Sequence, residues 1–493
     1  AAHGVLAFIA NRSFIDSRTF DGFRKTVAAE FSEIRLVDLG GDVRANPKLS
    51  GTRHNVFGIQ TGVAIGFFVK KPTKAKEHRC RIFYTRRPEL ETAEEKLAWL
   101  GQSKLATVAS EEVRPDAKAN WLNLTHNDFD DLLPVIDKAA KSSTKAARER
   151  AVFKLFGNGI NTARDGWVTD PDDSQLKRRV EFFLDEFARF NAASTNLGAV
   201  IKWSRNLKVK LGRGRSEAFD STCLRRYGYR PYVPQYGYLS SLMIDELGQW
   251  PAFDCPGNRS INFPAGKAFT CLASDLPTDF HFTGDTKTAS LYRVEGGQRL
   301  DNITDWSLKQ FTSHYKAGPG KRLPEPTKEG LFHYVYAVLH DPAYREKYAQ
   351  NLKREFPRIP LYGSTRADFW GWADWGRELM DLHIGYEQVE PWALQRTDTP
   401  DAKARAAGQA PKCILKSDPA AGRIVIDSET VLDGIPPEAF SYRLGNRSAL
   451  DWVLDQHKER KPKDPTIRAK FDTYRFADHK ERVIDLLARV TRV

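Results

Sequence analysis

Ile59-Gln60-Thr61-Gly62-Val63-Ala64-Ile65-Gly66-Phe67-Phe68-Val69 repeats with a period of two. Ile59, Thr61, Val63, Ile65, Phe67 and Val69 share one side of an extended chain, because strand side chains alternate between faces. The stretch predicts a long β-strand, and working outward from it residues 1–90 read as α/β. Residues 5–9 read as a short buried strand. Residues 20–31 read as a helix, with Phe20, Phe23, Val27 and Phe31 at helical spacing. Residues 34–39 and 81–84 read as two more strands, and 71–77 as a polar turn. Four strands are few for a stable doubly wound sheet. Further strands are therefore expected upstream of Ala1, and the chain, which opens without Met on Val5-Leu6-Ala7-Phe8-Ile9, reads as entered in mid-domain.

Beyond this, residues 91–155 are polar and helix-rich, with a charged stretch at 138–150. Residues 156–300 mix short strands with Gly, Pro and Asn turns. In the helical 301–390 section Leu331, Phe332, Val335, Val338 and Leu339 form one face. Asp341-Pro342 starts a new helix. Residues 396–412 read as a linker or exposed loop, 413–416 and 423–426 as a hairpin, and the end as a helix carrying Val483, Ile484, Leu486, Leu487 and Val490.

Of the 493 residues 41% are hydrophobic, which is enough for real cores and excludes a disordered tail. Lys plus Arg outnumber Asp plus Glu by 76 to 63, a net charge of +13, which points toward phosphate-bearing partners without specifying one. The five cysteines (Cys80, Cys223, Cys255, Cys271 and Cys413) form no CxxC pair and read as reduced thiols of a cytoplasmic protein. No apolar run approaches the ~18–20 residues of a membrane helix, so no membrane is expected. No signal peptide is recognisable either.

The strongest local signal for a ligand is the stretch 201–232. Lys202, Arg205, Lys208, Lys210, Arg213, Arg215, Arg225, Arg226 and Arg230 stand there against only Glu217 and Asp220. Trp203, Phe219, Tyr227, Tyr229 and Tyr232 are interleaved. Cations neutralise phosphates, while rings and guanidinium planes stack on bases or read their edges. Gly212 and Gly214 would let the backbone approach a phosphate. The alternative is a solvated basic face whose aromatics turn into the core. A second signal is the turn Gly157-Asn158-Gly159-Ile160-Asn161-Thr162-Ala163-Arg164-Asp165. Asn can bind adenine and Arg guanine; alone, the turn reads more naturally as a loop in which Asp165 orients Arg164.

Other motifs carry less. Asp38-Leu39-Gly40-Gly41 is similar to a methyltransferase cofactor loop but lacks a further glycine, and reads as a strand-end turn. Phe57-Gly58 reads as a packing feature. There is no GxxxxGK[ST], HExxH or GxSxG. His281 and His340 have no metal-ligand spacing, and the pairs Asp130-Asp131 and Asp172-Asp173 read as solvated charge.

The residues 4–15 (GVLAFIANRSFI) and 20–24 (FDGFR) resemble the strand and helix that follow the catalytic loop in adenine-specific DNA methyltransferases. The stretches 38–44 (DLGGDVR), 46–49 (NPKL) and 54–60 (HNVFGIQ) narrow the resemblance to Type ISP restriction-modification enzymes. Residues 162–165, 229–232, 301–306, 342–348, 354–360, 434–438 and 444–450 resemble that family's C-terminal specificity domain. The resemblance implies the C-terminal portion of a Rossmann-like class I methyltransferase sheet (1–95), a helical connector (96–155) and a mixed α+β target recognition domain with a helical section (156–400 and 401–493). It implies sequence-specific recognition of double-stranded DNA in phage defence. Adenine methylation and ATP-dependent restriction would fall to upstream methyltransferase, helicase-like and nuclease domains. S-adenosylmethionine, ATP and Mg are expected for the full-length enzyme and none for this chain, which lacks the Asn-Pro-Pro-Tyr-type loop and is expected to be inactive alone. The DNA-contact candidates are Asn158, Thr162, Arg164, Lys210, Arg213, Arg215, Arg225, Arg226 and Arg230, with no catalytic or metal-binding residue. The alternative is a stand-alone, non-catalytic DNA-binding or scaffold protein of a defence complex.

Overall fold

The computed structural model describes residues 3–42, 52–72, 80–88, 90–116, 119–122, 127–145, 149–191, 193–194, 196–265, 269–318, 323–471 and 474–493. The 46–49 motif, the end of the 38–44 motif, residues 73–77 of the 71–77 turn, and part of the 138–150 stretch lie outside these. The chain divides into two compact units, Ala1–His126 and Asn127–Val493.

The alternating stretch forms the strand Val63–Lys70. It starts later than the alternation, because Gly58 turns the chain at φ 66° and residues 59–62 are still loop. It runs antiparallel between Gly4–Asn11 and Glu33–Gly40 (Ala7 opposite Phe67, Val37 opposite Ile65). Glu33–Gly40 pairs parallel with Arg81–Arg86. The unpredicted strand Glu111–Val113 completes a five-stranded sheet. The first strand corrects one expectation: it is not buried, since Val5 is 67% and Ile9 54% exposed. It stands last in the sheet, paired on one side only, and of its residues Phe8 alone is half-buried, packed against Phe14.

At the end of Glu33–Gly40 the carboxylate of Asp38 is fully buried. It accepts hydrogen bonds from Arg12 Nε and Nη2, the Tyr84 hydroxyl (2.8 Å) and the Gly40 N–H. Burial opposes ionisation, but Arg12, Tyr84 and Gly40 outweigh it and hold the carboxyl below its ordinary range. A carboxyl whose folded-state pKa is depressed stabilises the fold above its unfolded-state pKa, and that stability is lost as pH falls through the folded value. The first unit is therefore expected to lose resistance to urea as pH drops below about 4, and Asp38→Asn to weaken it at pH 7 and flatten the acid slope. Hydrogen exchange of residues 33–40 in urea, at several pH values, measures this; an equal slope in both proteins would remove Asp38 as the cause.

In the second unit the helix Lys328–His340 is buried on all sides from Gly330 to Leu339 rather than on one face, because sheet and helices surround it. It packs with Arg366–Ile384 and the sheet built from Ser260–Pro264, Leu272–Ser274, Thr286–Ser290 and Gly157–Asn158. A second core collects the hairpin Cys413–Asp418/Arg423–Asp427 and the final helix Lys480–Arg492. Residues 396–412 are largely exposed, yet hold the edge strand Gln395–Asp398 and the helix Ala402–Ala406. The third core, around Asp173–Ala188, Arg205–Gly212 and the strands Leu224–Arg230 and Val233–Tyr238, carries the basic stretch. The whole is a mixed α/β structure of several small sheets and helices.

Candidate nucleic-acid interface

Ser204 caps the helix Arg205–Gly212 by accepting from Leu207 N, and Leu207 and Leu211 anchor it in the core. Arg205 and Lys208 therefore face solvent. Gly214, at φ 65°, ends the helix in the left-handed conformation, its N–H bonding Leu211 O while Arg215 N bonds Lys210 O. This turn leaves Arg213 and Arg215 exposed at the helix C-terminus. Lys202, Arg205, Lys208, Arg213 and Arg215 are all exposed and meet no carboxylate among the described residues.

The rest of the stretch is committed internally, which corrects the expectation of a single outward-facing cluster. Lys210 donates to Leu242 O (3.2 Å) and Ile244 O (2.5 Å), and burial pulls its pKa down. Arg225 binds both oxygens of Asp254, Arg226 binds Glu387 and Arg230 binds Asp279 at 2.7 Å. Arg164 has a fully buried side chain, held by Met243 O, Ser204 and Asp245. Thr162 is buried and donates to Asp165. Asn158 is exposed but accepts from Lys287 at 2.5 Å. The aromatics are core rather than a stacking platform: Tyr227 and Tyr232 are buried, Trp203 packs against Phe187 and Phe190, and Phe219 stacks on Tyr238.

Charge also gathers outside the 201–232 stretch, at residues 460–463. Lys202, Arg460 and Lys463 rim a cleft of about 690 Å³. Its floor is the 161–165 turn, with Ala163 at φ 57°, together with buried Asp279, and Phe280 and the exposed His281 also line it. Arg460 pairs with Asp455, whereas Lys461 and Lys463 are exposed and meet no carboxylate among the described residues. The run 457–463 (HKERKPK) was the available signal. What ties it to the turn is a long-range bond from Trp167 Nε1 to Asp464 at 2.7 Å. On the floor Asp279 accepts from Tyr227, Arg230 and His281 N. Burial drives its pKa up, against the lowering pull of Arg230.

Two features of the first unit are local packing and exposure. In the 38–41 turn the Asp38 carboxylate is held by Arg12 and Tyr84, and a Cβ on Gly41 would lie 2.7 Å from His54 O, so the backbones meet closely there. Phe57 is not a packing residue: it is 59% exposed on a loop that buried Asn55 anchors through Gly41 O, Thr61 O and Phe57 N.

A family model described as the Type ISP C-terminal specificity domain matches residues 151–486. No curated protein matches the chain. Among solved structures it is similar to the protein of a DrdV–DNA complex determined by cryoEM, with 41% identity, a TM-score of 0.86 and coverage of 99% of this chain and 49% of that one. It is also similar to a nuclease-deletion mutant of the Type ISP restriction-modification enzyme LlaGI in complex with a DNA substrate mimic (23%, TM-score 0.79, 100% and 45%). A third similar structure is the ATP-dependent Type ISP restriction-modification enzyme LlaBIII bound to DNA (22%, TM-score 0.80, 100% and 32%). The last two likenesses show the fold alone, and the chain spans half or less of each of the three proteins. Since the matched specificity domain runs through most of the sequence, the chain belongs to the Type ISP C-terminal specificity domain family.

Proposed function

We propose that the chain grips double-stranded DNA and selects the site at which a Type ISP enzyme methylates adenine or, through ATP-driven domains, cuts. The observation that carries this reading is the set of exposed cations without carboxylate partners at Lys202, Arg205, Lys208, Arg213 and Arg215, which reaches through Lys202 the cleft rimmed by Lys463. Free cations release counterions from phosphates, whereas Arg225, Arg226 and Arg230 are already paired with carboxylates and Lys210 is tied down by two backbone carbonyls. Burial takes Arg164 and Thr162 out of the direct contacts, and Asn158 remains a contact only beside Lys287. The chain supplies no catalytic residue, and methyl transfer, ATP hydrolysis and cleavage belong to the family's other domains. We read the first unit as the C-terminal portion of a Rossmann-like methyltransferase sheet. Its parallel pair and its edge strand with exposed Val5, Leu6 and Ile9 support further strands beside it. The functional parts follow the boundaries 1–95, 96–155, 156–400 and 401–493. No helix among the described residues is long and apolar enough to cross a membrane, and we place the protein in the cytoplasm.

Fluorescence anisotropy on labelled duplexes over a salt series tests the reading. Affinity is expected to fall steeply with salt. Arg213→Ala with Arg215→Ala should weaken binding to every sequence and reduce the log–log salt slope by about 2, at roughly 0.9 per phosphate contact. Unchanged slope and affinity in the double variant would remove the helix end from the interface.

A further inference from the structure

We propose that the cleft floored by residues 161–165 receives the edge of a DNA base bearing an exocyclic amino group, with Asp165 as the acceptor that selects it. The proposal rests on the DNA-gripping reading above and goes on to the chemistry of one contact.

Charge in the cleft is segregated. The cations without internal partners lie at the rim, on Lys202 and Lys463. The interior guanidiniums of Arg164 and Arg179 are paired with Asp245 and Asp170. What the floor offers is the part-exposed carboxylate of Asp165, since Asp279 is 3% exposed and already paired with Arg230. Phosphates are therefore drawn to the rim and repelled from the floor, so a nucleic acid enters with its backbone outside and a base edge inward.

Asp165 is built to meet that edge. One oxygen accepts from the Thr162 hydroxyl; the other accepts from the Tyr229 hydroxyl at 3.1 Å and lies 3.7 Å from Arg230. Its side chain stays 39% exposed. A carboxylate has about four lone-pair positions, so a rigidly held acceptor keeps capacity toward the cleft. An ionised carboxylate cannot donate, so its partner has to be a donor. In the major groove the donors are adenine N6 and cytosine N4. Beside it Asn161 accepts from Ala163 N through Oδ1 at 3.2 Å, which leaves its amide NH₂ as a donor without a described partner. The left-handed Ala163 between them turns the chain so that both side chains line one cleft. A donor next to an acceptor matches the N7/N6 edge of adenine.

The experiment is a functional-group cycle on the full chain. Duplexes enriched from a random pool are rebuilt with single amino groups deleted, adenine becoming purine and cytosine becoming pyrimidin-2-one. At one position the deletion is expected to weaken the intact chain about tenfold or more, and to have little effect on Asp165→Ala, which has no side-chain acceptor. Loss of pairing within the duplex acts on both proteins alike and cancels. Deletions that cost both proteins equally at every position would overturn the proposal while leaving DNA binding intact. Failure of the intact chain to bind any duplex at low salt would overturn the broader reading with it. Should circular dichroism show Asp165→Ala unfolded, a cycle of Asn161→Ala against 7-deazaadenine, which removes the N7 acceptor matched to the Asn161 amide, decides with the same two outcomes, because Asn161 makes only a local side-chain bond.

Discussion

Gly376→Ala is expected to destabilise the second unit by about 3 kcal/mol, although helix propensity alone favours alanine by up to roughly 1 kcal/mol. Gly376 is buried in Arg366–Ile384, where that helix presses on Lys328–His340. A Cβ there would lie 1.9 Å from His333 O and 2.7 Å from His333 C. The obstacle is backbone inside a continuous helix, so it cannot rotate away as a side-chain end would. The helices must separate, and the core that they share with Phe332, Val335 and Met380 must open. Gly371 supplies the control on the same helix, since a Cβ there meets nothing within 4 Å. Gly371→Ala is expected to be neutral or stabilising. Urea unfolding of the two variants beside the unsubstituted chain measures both signs; a Gly376→Ala protein as stable as Gly371→Ala would show that the helices are not in backbone contact.

That close approach could not have been read from the sequence, where Trp375-Gly376-Arg377 is one glycine among 34. What was legible followed from periodicity and local chemistry. The alternation at Val63–Val69 specified its strand, Asp341-Pro342 its helix start, and the hairpin at 413–427 its two strands. What was not legible depended on neighbours distant in sequence. Residues 5–9 look like a buried strand because composition cannot say whether a second layer covers them. The basic stretch shows the same limit more sharply. Arg225, Arg226 and Arg230 look as free in sequence as Arg213 and Arg215. Their carboxylates arrive from Asp254, Glu387 and Asp279, on other elements. The rim of the cleft is likewise assembled from Lys202 and Lys463, more than half the chain apart.

The second large effect concerns the floor of that cleft. Arg230→Met is expected to cost about 3–5 kcal/mol near neutral pH, the usual penalty for orphaning a buried charge. Arg230 stacks on the Tyr229 ring at 3.9 Å and supplies the only cation within 4 Å of Asp279 among the described residues. The Asp279 side chain is 3% exposed and also feels the charge of Asp165. With Arg230 present, burial already raises the pKa of Asp279; without it the pull toward ionisation is lost and the pKa rises further. A carboxyl raised on folding destabilises the folded state above its folded pKa, and the penalty shrinks as pH falls through that value. The deficit of Arg230→Met relative to the unsubstituted chain should therefore be larger at pH 8 than at pH 5. Asp279→Asn placed in the same protein should recover much of it, since the amide carries no charge to orphan and can still accept from Tyr227. Denaturant midpoints of the four proteins of this cycle, at both pH values, separate charge from packing. A pH-independent deficit, unrelieved by the second substitution, would mean that Arg230 stabilises the floor through its stacking on Tyr229 alone.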